Sequence, residues 1–168
     1  SIALLVLISF ILSACGGSFQ ASSWPGLSYD ENSNSVYIAY NQQVFALQAE
    51  NGVGIWSYPS ETDNGISFFA PPVLASETAL LLSGYDTQIV NIDPNNNGSE
   101  NWVFSAAEYR YIGSVVANDA GIFAPNADNS LYAISSNGQL MWTFQAKDAL
   151  WSSPVSNVET VFQASMDH

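Results

Sequence analysis

Few side chains in this chain are equipped for covalent chemistry. It has one cysteine, Cys15, and one histidine, His168. The only cations are Arg110 and Lys147. A Ser/His/Asp site would have to use His168, and Asp167-His168 reads instead as the start of a hairpin turn. A zinc site lacks ligands. Asp93-Pro94-Asn95-Asn96-Asn97-Gly98 is oxygen-rich, as a calcium loop must be. It lacks acidic residues at alternate positions and a closing Glu, so it reads as a lengthened hairpin turn. The expectation is therefore no catalytic residue and no metal. Glu108-Tyr109-Arg110-Tyr111 combines a cation with aromatic rings in a connection between repeats. Such loops carry binding function, so it is the candidate contact loop.

Cys15 is the exception, because its surroundings supply a chemistry. Ile2 to Leu12 is an almost unbroken apolar run. It is shorter than the roughly twenty residues of a membrane span and has the length of a signal-peptide core. Leu12-Ser13-Ala14-Cys15 follows at once and resembles the bacterial lipobox, in which cleavage precedes a cysteine lipidated through sulfur. A lone cysteine cannot form an internal disulfide, which leaves a buried core cysteine or a free thiol as the other readings. Acyl chains on one cysteine would anchor the protein at about 0.8 kcal/mol per buried methylene. Residues 1–14 are thus expected to be a signal peptide, and 15–22 the lipidated cysteine with a flexible Gly16-Gly17-Ser18 tether. A basic segment is expected upstream of Ser1.

The elements that would position a binding loop emerge from self-comparison. Gly-x-x-x-Trp occurs at Gly52–Trp56, Gly98–Trp102 and Gly138–Trp142, a period of about forty to forty-six residues. Each unit opens on a Pro- or Ser-containing turn: Trp24-Pro25-Gly26, Ala70-Pro71-Pro72, Gly113-Ser114 and Ser152-Ser153-Pro154. An apolar strand follows, at Val36–Ala39, Ala79–Leu82, Gly121–Ala124 and Val161–Ala164. A hairpin turn bearing Asn41, Asp86, Asp128 or Asp167 comes next. A second strand lies at Val44–Leu47, Ile89–Ile92 and Leu131–Ile134, and a further one starts at each tryptophan. No stretch after Gly17 keeps a helical apolar period. The glycine would supply positive φ in a tight turn. The tryptophan would lay its face on an adjacent blade while its N–H finds a carbonyl.

This pattern resembles the tryptophan-docking motif of pyrroloquinoline-quinone-type propeller repeats, Ala-x-Asp-x-x-Thr-Gly-x-x-x-Trp. Ala46 to Trp56 matches it with Gln48 and Asn51 in place of Asp and Thr. Asn91 to Trp102 keeps Asp93 and is one residue longer, and Ala133 to Trp142 is one shorter with Ser135. Ser153-Pro154-Val155 and Ala164-Ser165-Met166-Asp167 resemble further elements of the family. The resemblance covers residues 23–168. It implies an all-β fold, a partial β-propeller of four-stranded antiparallel blades with boundaries near 23–69, 70–111, 112–150 and 151–168. Family propellers close with more blades, so the chain is expected to be a fragment of a longer protein.

Charge narrows the partners. Two basic against fifteen acidic residues give a net charge of −13. Phosphate backbones and anionic headgroups would repel such a chain, so nucleic acid is excluded and membrane contact needs the anchor. Enzymes with this repeat hold the quinone with calcium, often beside a vicinal disulfide. This chain has no Cys-Cys pair, and no cofactor is expected. Lipobox and repeats together resemble the BamB-like lipoprotein scaffolds of β-barrel assembly. That resemblance implies a non-enzymatic, lipid-anchored binding protein of the bacterial cell envelope with protein partners, in outer-membrane protein assembly. Two other readings stay open: a quinoprotein dehydrogenase with its catalytic residues in further blades, and a cell-surface sensor or adhesion module.

Overall fold

A computed structural model describes residues 25–62, 65–157 and 159–167. The apolar segment, Cys15 with its tether, and His168 lie outside the described residues. Among those described, every regular element is a strand. Strands β1 (Gly26–Asp30), β2 (Ser35–Tyr40), β3 (Gln43–Gln48) and β4 (Gly54–Tyr58) form the first blade. Strands β5 (Val73–Ser76), β6 (Ala79–Ser83), β7 (Ile89–Asp93) and β8 (Ser99–Phe104) form the second. Strands β9 (Val116–Asn118), β10 (Gly121–Pro125), β11 (Ser130–Ile134) and β12 (Leu140–Gln145) form the third. Strands β13 (Val155–Ser156) and β14 (Val161–Phe162) pair as the opening of a fourth. Each blade is an antiparallel meander of strands in chain order.

Side-chain alternation explains why these runs are strands and why the blades stack. A middle blade is covered on both faces, so both sets of alternating residues must be apolar. Leu80 and Leu82 of β6 pack with Tyr37, Val44 and Phe68 towards the first blade. Leu81 between them packs with Ile122, Ala124 and Tyr132 towards the third. In β10, Ile122 and Ala124 serve that same interface, while Phe123 joins Leu131 and Leu150 on the other side. The core is thus a set of layers between blades, and no blade buries its faces alone.

The first strand of each blade carries no clear periodic signal in the sequence. β1, β5, β9 and β13 follow the Pro- or Ser-containing turns directly and are short and partly exposed. Successive blades touch through them, β5 with β9 and β9 with β13. Their entrances are tight. A Cβ on Gly26 would come within 2.4 Å of the Ala70 and Pro71 backbone, and one on Gly113 within 2.9 Å of Ser152 and Ser153. Ser114 Oγ donates to the Pro71 carbonyl at 2.8 Å, and the Ser114 N–H donates to Ser153 Oγ at 2.9 Å. The repeated small residues let neighbouring main chains approach and tie them together.

Candidate functional site

The Gly-x-x-x-Trp elements sit at the turn between the third and fourth strands of each blade. Gly52, Gly98 and Gly138 have φ of 72°, 69° and 82°. Trp56, Trp102 and Trp142 pair across the hairpin with Ala46, Asn91 and Ala133, and a register shift follows each pair on the third strand. The turns differ in length, yet the pairing at the tryptophan is the same, because each fourth strand carries the same one-residue bulge and the extra or missing residue lies in the turn itself. Two tryptophans then reach forward one blade. Trp56 Nε1 donates to the Pro94 carbonyl at 2.9 Å, and Trp102 Nε1 to the Ser136 carbonyl at 3.0 Å. Their indole faces cover the next glycine: a Cβ on Gly98 would stand 3.0 Å from Trp56, and one on Gly138 2.7 Å from Trp102. The Asp93–Gly98 segment is therefore a turn that receives an indole. Trp142 is 43% exposed, leans on Phe123 at 5.7 Å between ring centroids, and lines a groove of about 800 Å3 beside β14.

The opposite ends of the strands carry the candidate contact loop. Its main chain is clamped from both sides. The Tyr111 N–H donates to the Gly84 carbonyl of the second blade at 3.1 Å, and the Ala127 N–H of the third donates to the Arg110 carbonyl at 3.1 Å. Neighbouring connections repeat this pair of bonds: Phe68 to Asn41 with Tyr85 to Ser67, and Leu150 to Asn126 with Met166 to Ala149. Arg110 thus stands where Ser67 and Ala149 stand, and Tyr111 where Phe68 and Leu150 stand. Asn126, fully buried, donates to the Tyr109 carbonyl at 2.8 Å. Asp128 Oδ2 accepts the Glu108 N–H at 3.0 Å and the Tyr132 hydroxyl at 2.6 Å. Hairpin acids read as turn holders do hold the turns, Asp86 through the Gln88 N–H and Asp128 through the Ser130 N–H. Asp128 also fastens the connection.

Side chains separate at this loop. Tyr111 is 1% exposed and joins the core between blades, and its hydroxyl has no hydrogen-bond partner. Arg110 lies between the rings of Tyr85 and Tyr109, its guanidinium carbon 4.9 and 4.7 Å from their centroids. Nη1 donates to the Tyr85 hydroxyl at 2.9 Å and Nη2 to the Tyr109 hydroxyl at 3.0 Å. Those hydroxyls, Tyr109 first, hold the guanidinium in its charged form. Phe69 braces Tyr85 edge-on at 4.8 Å. Tyr85 and Phe69 come from outside the predicted loop. The signal for Tyr85 is only that an aromatic residue adjoins the Asp86 turn.

The cluster presents one cation and two aromatic rings at the surface. Among the described residues no group of three or more His, Cys, Asp or Glu side chains is placed to hold a metal. Besides Arg110, the perturbed groups are tyrosines held neutral. Burial first, and then the bond to Asp128, pushes the Tyr132 hydroxyl up to about 12. Burial is also the leading cause of the upward shifts at Tyr37, Tyr58 and Tyr111. Folded values above the unfolded value of about 10 mean that this contribution is complete below pH 10 and is lost as pH rises through the folded values. Alkaline titration should therefore show tyrosinate absorbance at 295 nm and loss of near-ultraviolet circular dichroism rising together above about pH 10. Smooth ionisation of every tyrosine near pH 10 with the fold retained would contradict it.

No protein-family model matches the chain, and no curated protein matches it in sequence. Solved structures do. BamB from Moraxella catarrhalis superposes with a TM-score of 0.69 at 19% identity, over 88% of this chain and 45% of that one. The WD40 repeats of RRP9 give 0.71 at 11% identity, over 88% and 46%. A chain of the mitotic checkpoint complex gives 0.62 at 15% identity, over 74% and 38%. The chain spans less than half the length of these structures. At such identities the likeness is one of fold, and the fold is that of a β-propeller built from four-stranded antiparallel blades.

Proposed function

We propose that this chain is part of a non-enzymatic propeller scaffold that binds protein partners through the loop face carrying Tyr85, Tyr109 and Arg110. The observation that carries the reading is the construction of that face. A guanidinium and two partly exposed rings are held in place by main-chain bonds from two blades. Rigid aromatic and arginine groups are what protein interfaces concentrate at their energetic centres. The likeness in fold to BamB and to WD40 repeats supports a binding role. The sequence around Cys15 supports export and a lipid anchor at the bacterial cell envelope. Outer-membrane protein assembly is the setting implied by the resemblance to BamB-like lipoproteins.

Two experiments test the two halves of this reading. A photo-crosslinking residue at Tyr109 should capture protein partners in cells, whereas one at Gln48 on the docking-turn side should capture few. Equal capture at both positions, or quinone absorbance with alcohol or sugar oxidation by the purified protein, would overturn the scaffold. Cys15→Ala should move the protein from the membrane fraction to the soluble fraction, and unchanged retention would remove the anchor.

A further inference from the structure

We infer that the Arg110–Tyr85–Tyr109 cluster is a subsite for a single carboxylate on a polypeptide partner, an inference that rests on the loop face being a protein-binding surface. Hydrogen-bond bookkeeping is the starting point. A guanidinium has five N–H donors and no acceptor. Arg110 spends one on each tyrosine hydroxyl. Each hydroxyl receives that bond as an acceptor, so its own O–H remains to be given. The unused arginine N–H groups and the two O–H groups therefore share one small patch, and all of them are donors. Only an acceptor satisfies such a set, and a planar carboxylate matches the arginine fork best.

Charge points the same way. The electrostatic partners of Arg110 are the two tyrosines. The hairpin acids are turned to the main chain, Asp86 accepting the Gln88 N–H and Asp128 the Glu108 and Ser130 N–H groups with the Tyr132 hydroxyl, and among the described residues no carboxylate stands among the electrostatic partners of Arg110. The guanidinium is thus a local positive spot on a chain of net charge −13. That background disfavours a polyanion and leaves room for one isolated acid. Tyr85 and Tyr109 are 37% and 50% exposed, so rings beside the subsite can take an apolar neighbour of that acid. The ligand is then a peptide segment with one Asp or Glu next to an apolar or aromatic residue. Preorganisation favours it, because the loop is fixed before the ligand arrives.

The test titrates the whole chain with acetyl-Ala-Glu-Phe-amide and with its Gln counterpart, following the arginine Nε–H and tyrosine ring signals by NMR. The Glu peptide should bind about tenfold or more tightly than the Gln peptide, the usual worth of a hydrogen bond to a charged group. Arg110→Gln should reduce the Glu peptide to the Gln level. Arg110→Lys should not restore it, because a point charge lacks the fork. Tyr109→Phe, which leaves the ring and the fold in place, should weaken the Glu peptide several-fold. Equal affinities for the two peptides would overturn the inference, as would full rescue by lysine. Inorganic phosphate that perturbs the same signals more tightly than the Glu peptide would also overturn it. Continued crosslinking at Tyr109 in that case would leave the scaffold reading standing.

Discussion

In this 168-residue chain Trp102→Ala is expected to lower the stability of the fold by about 3 kcal/mol or more, whereas Trp142→Ala, which has no further docking turn to cover among the described residues, is expected to lower it by only about 1 kcal/mol. Both residues close the same sequence element, and the difference lies in what covers them. Trp102 bonds the Ser136 carbonyl and lays its face on Gly138. Trp142 is 43% exposed and rests on Phe123. The glycines mirror this. Gly52→Ala meets nothing within 4 Å, so it carries only the left-handed backbone penalty of about 1–2 kcal/mol. Gly138→Ala adds a Cβ 2.7 Å from the Trp102 indole. Overpacking of that kind adds about 1–3 kcal/mol. Combining Trp102→Ala with Gly138→Ala should be less damaging than the sum of the two, because removing the indole makes room for the methyl. Urea midpoints of the five variants check this. Equal losses for Trp102→Ala and Trp142→Ala would show that the forward contact contributes nothing.

That contrast also marks how far the sequence could be read. The glycine–tryptophan spacing and the polar hairpin turns are local signals, and three strands per blade followed from them. The direction of docking is not local. Whether Trp56 reaches Pro94 or some other carbonyl depends on how blades stack, and no single repeat encodes it. The first strands escaped for a different reason. Val116-Ala117-Asn118 is too short and too mixed to show a period, and it is a strand because β10 offers it an edge. At the candidate site the loop Glu108–Tyr111 was legible as an aromatic and charged connection. Its partner Tyr85 was not, because it lies a full strand pair away in sequence and meets Arg110 only through the main-chain clamp between two blades.

The same clamp makes Tyr111 the most informative single position. Phe68, Tyr111 and Leu150 each donate a backbone N–H to the preceding blade's hairpin, and each is 1% exposed. Two of the three slots are filled by hydrocarbon. The third holds a hydroxyl that finds no hydrogen-bond partner. An unmet buried hydroxyl costs about 1–3 kcal/mol, so Tyr111→Phe should leave stability unchanged or raise it by about 1 kcal/mol. Tyr111→Ala removes the ring itself and should cost about 3–5 kcal/mol, since the layer between blades cannot collapse around the cavity. Denaturant midpoints with unchanged slopes decide between these. A loss above about 1 kcal/mol for Tyr111→Phe would mean that the hydroxyl is satisfied after all, by the neighbouring Asn126 side chain or by a buried water. Binding should follow the ring rather than the hydroxyl. Arg110 is held from behind by its own carbonyl and by the neighbouring Tyr111 anchor, so Tyr111→Phe should keep the loop face intact. The alanine variant should loosen it and reduce capture of partners at Tyr109 even under conditions where the blades remain folded.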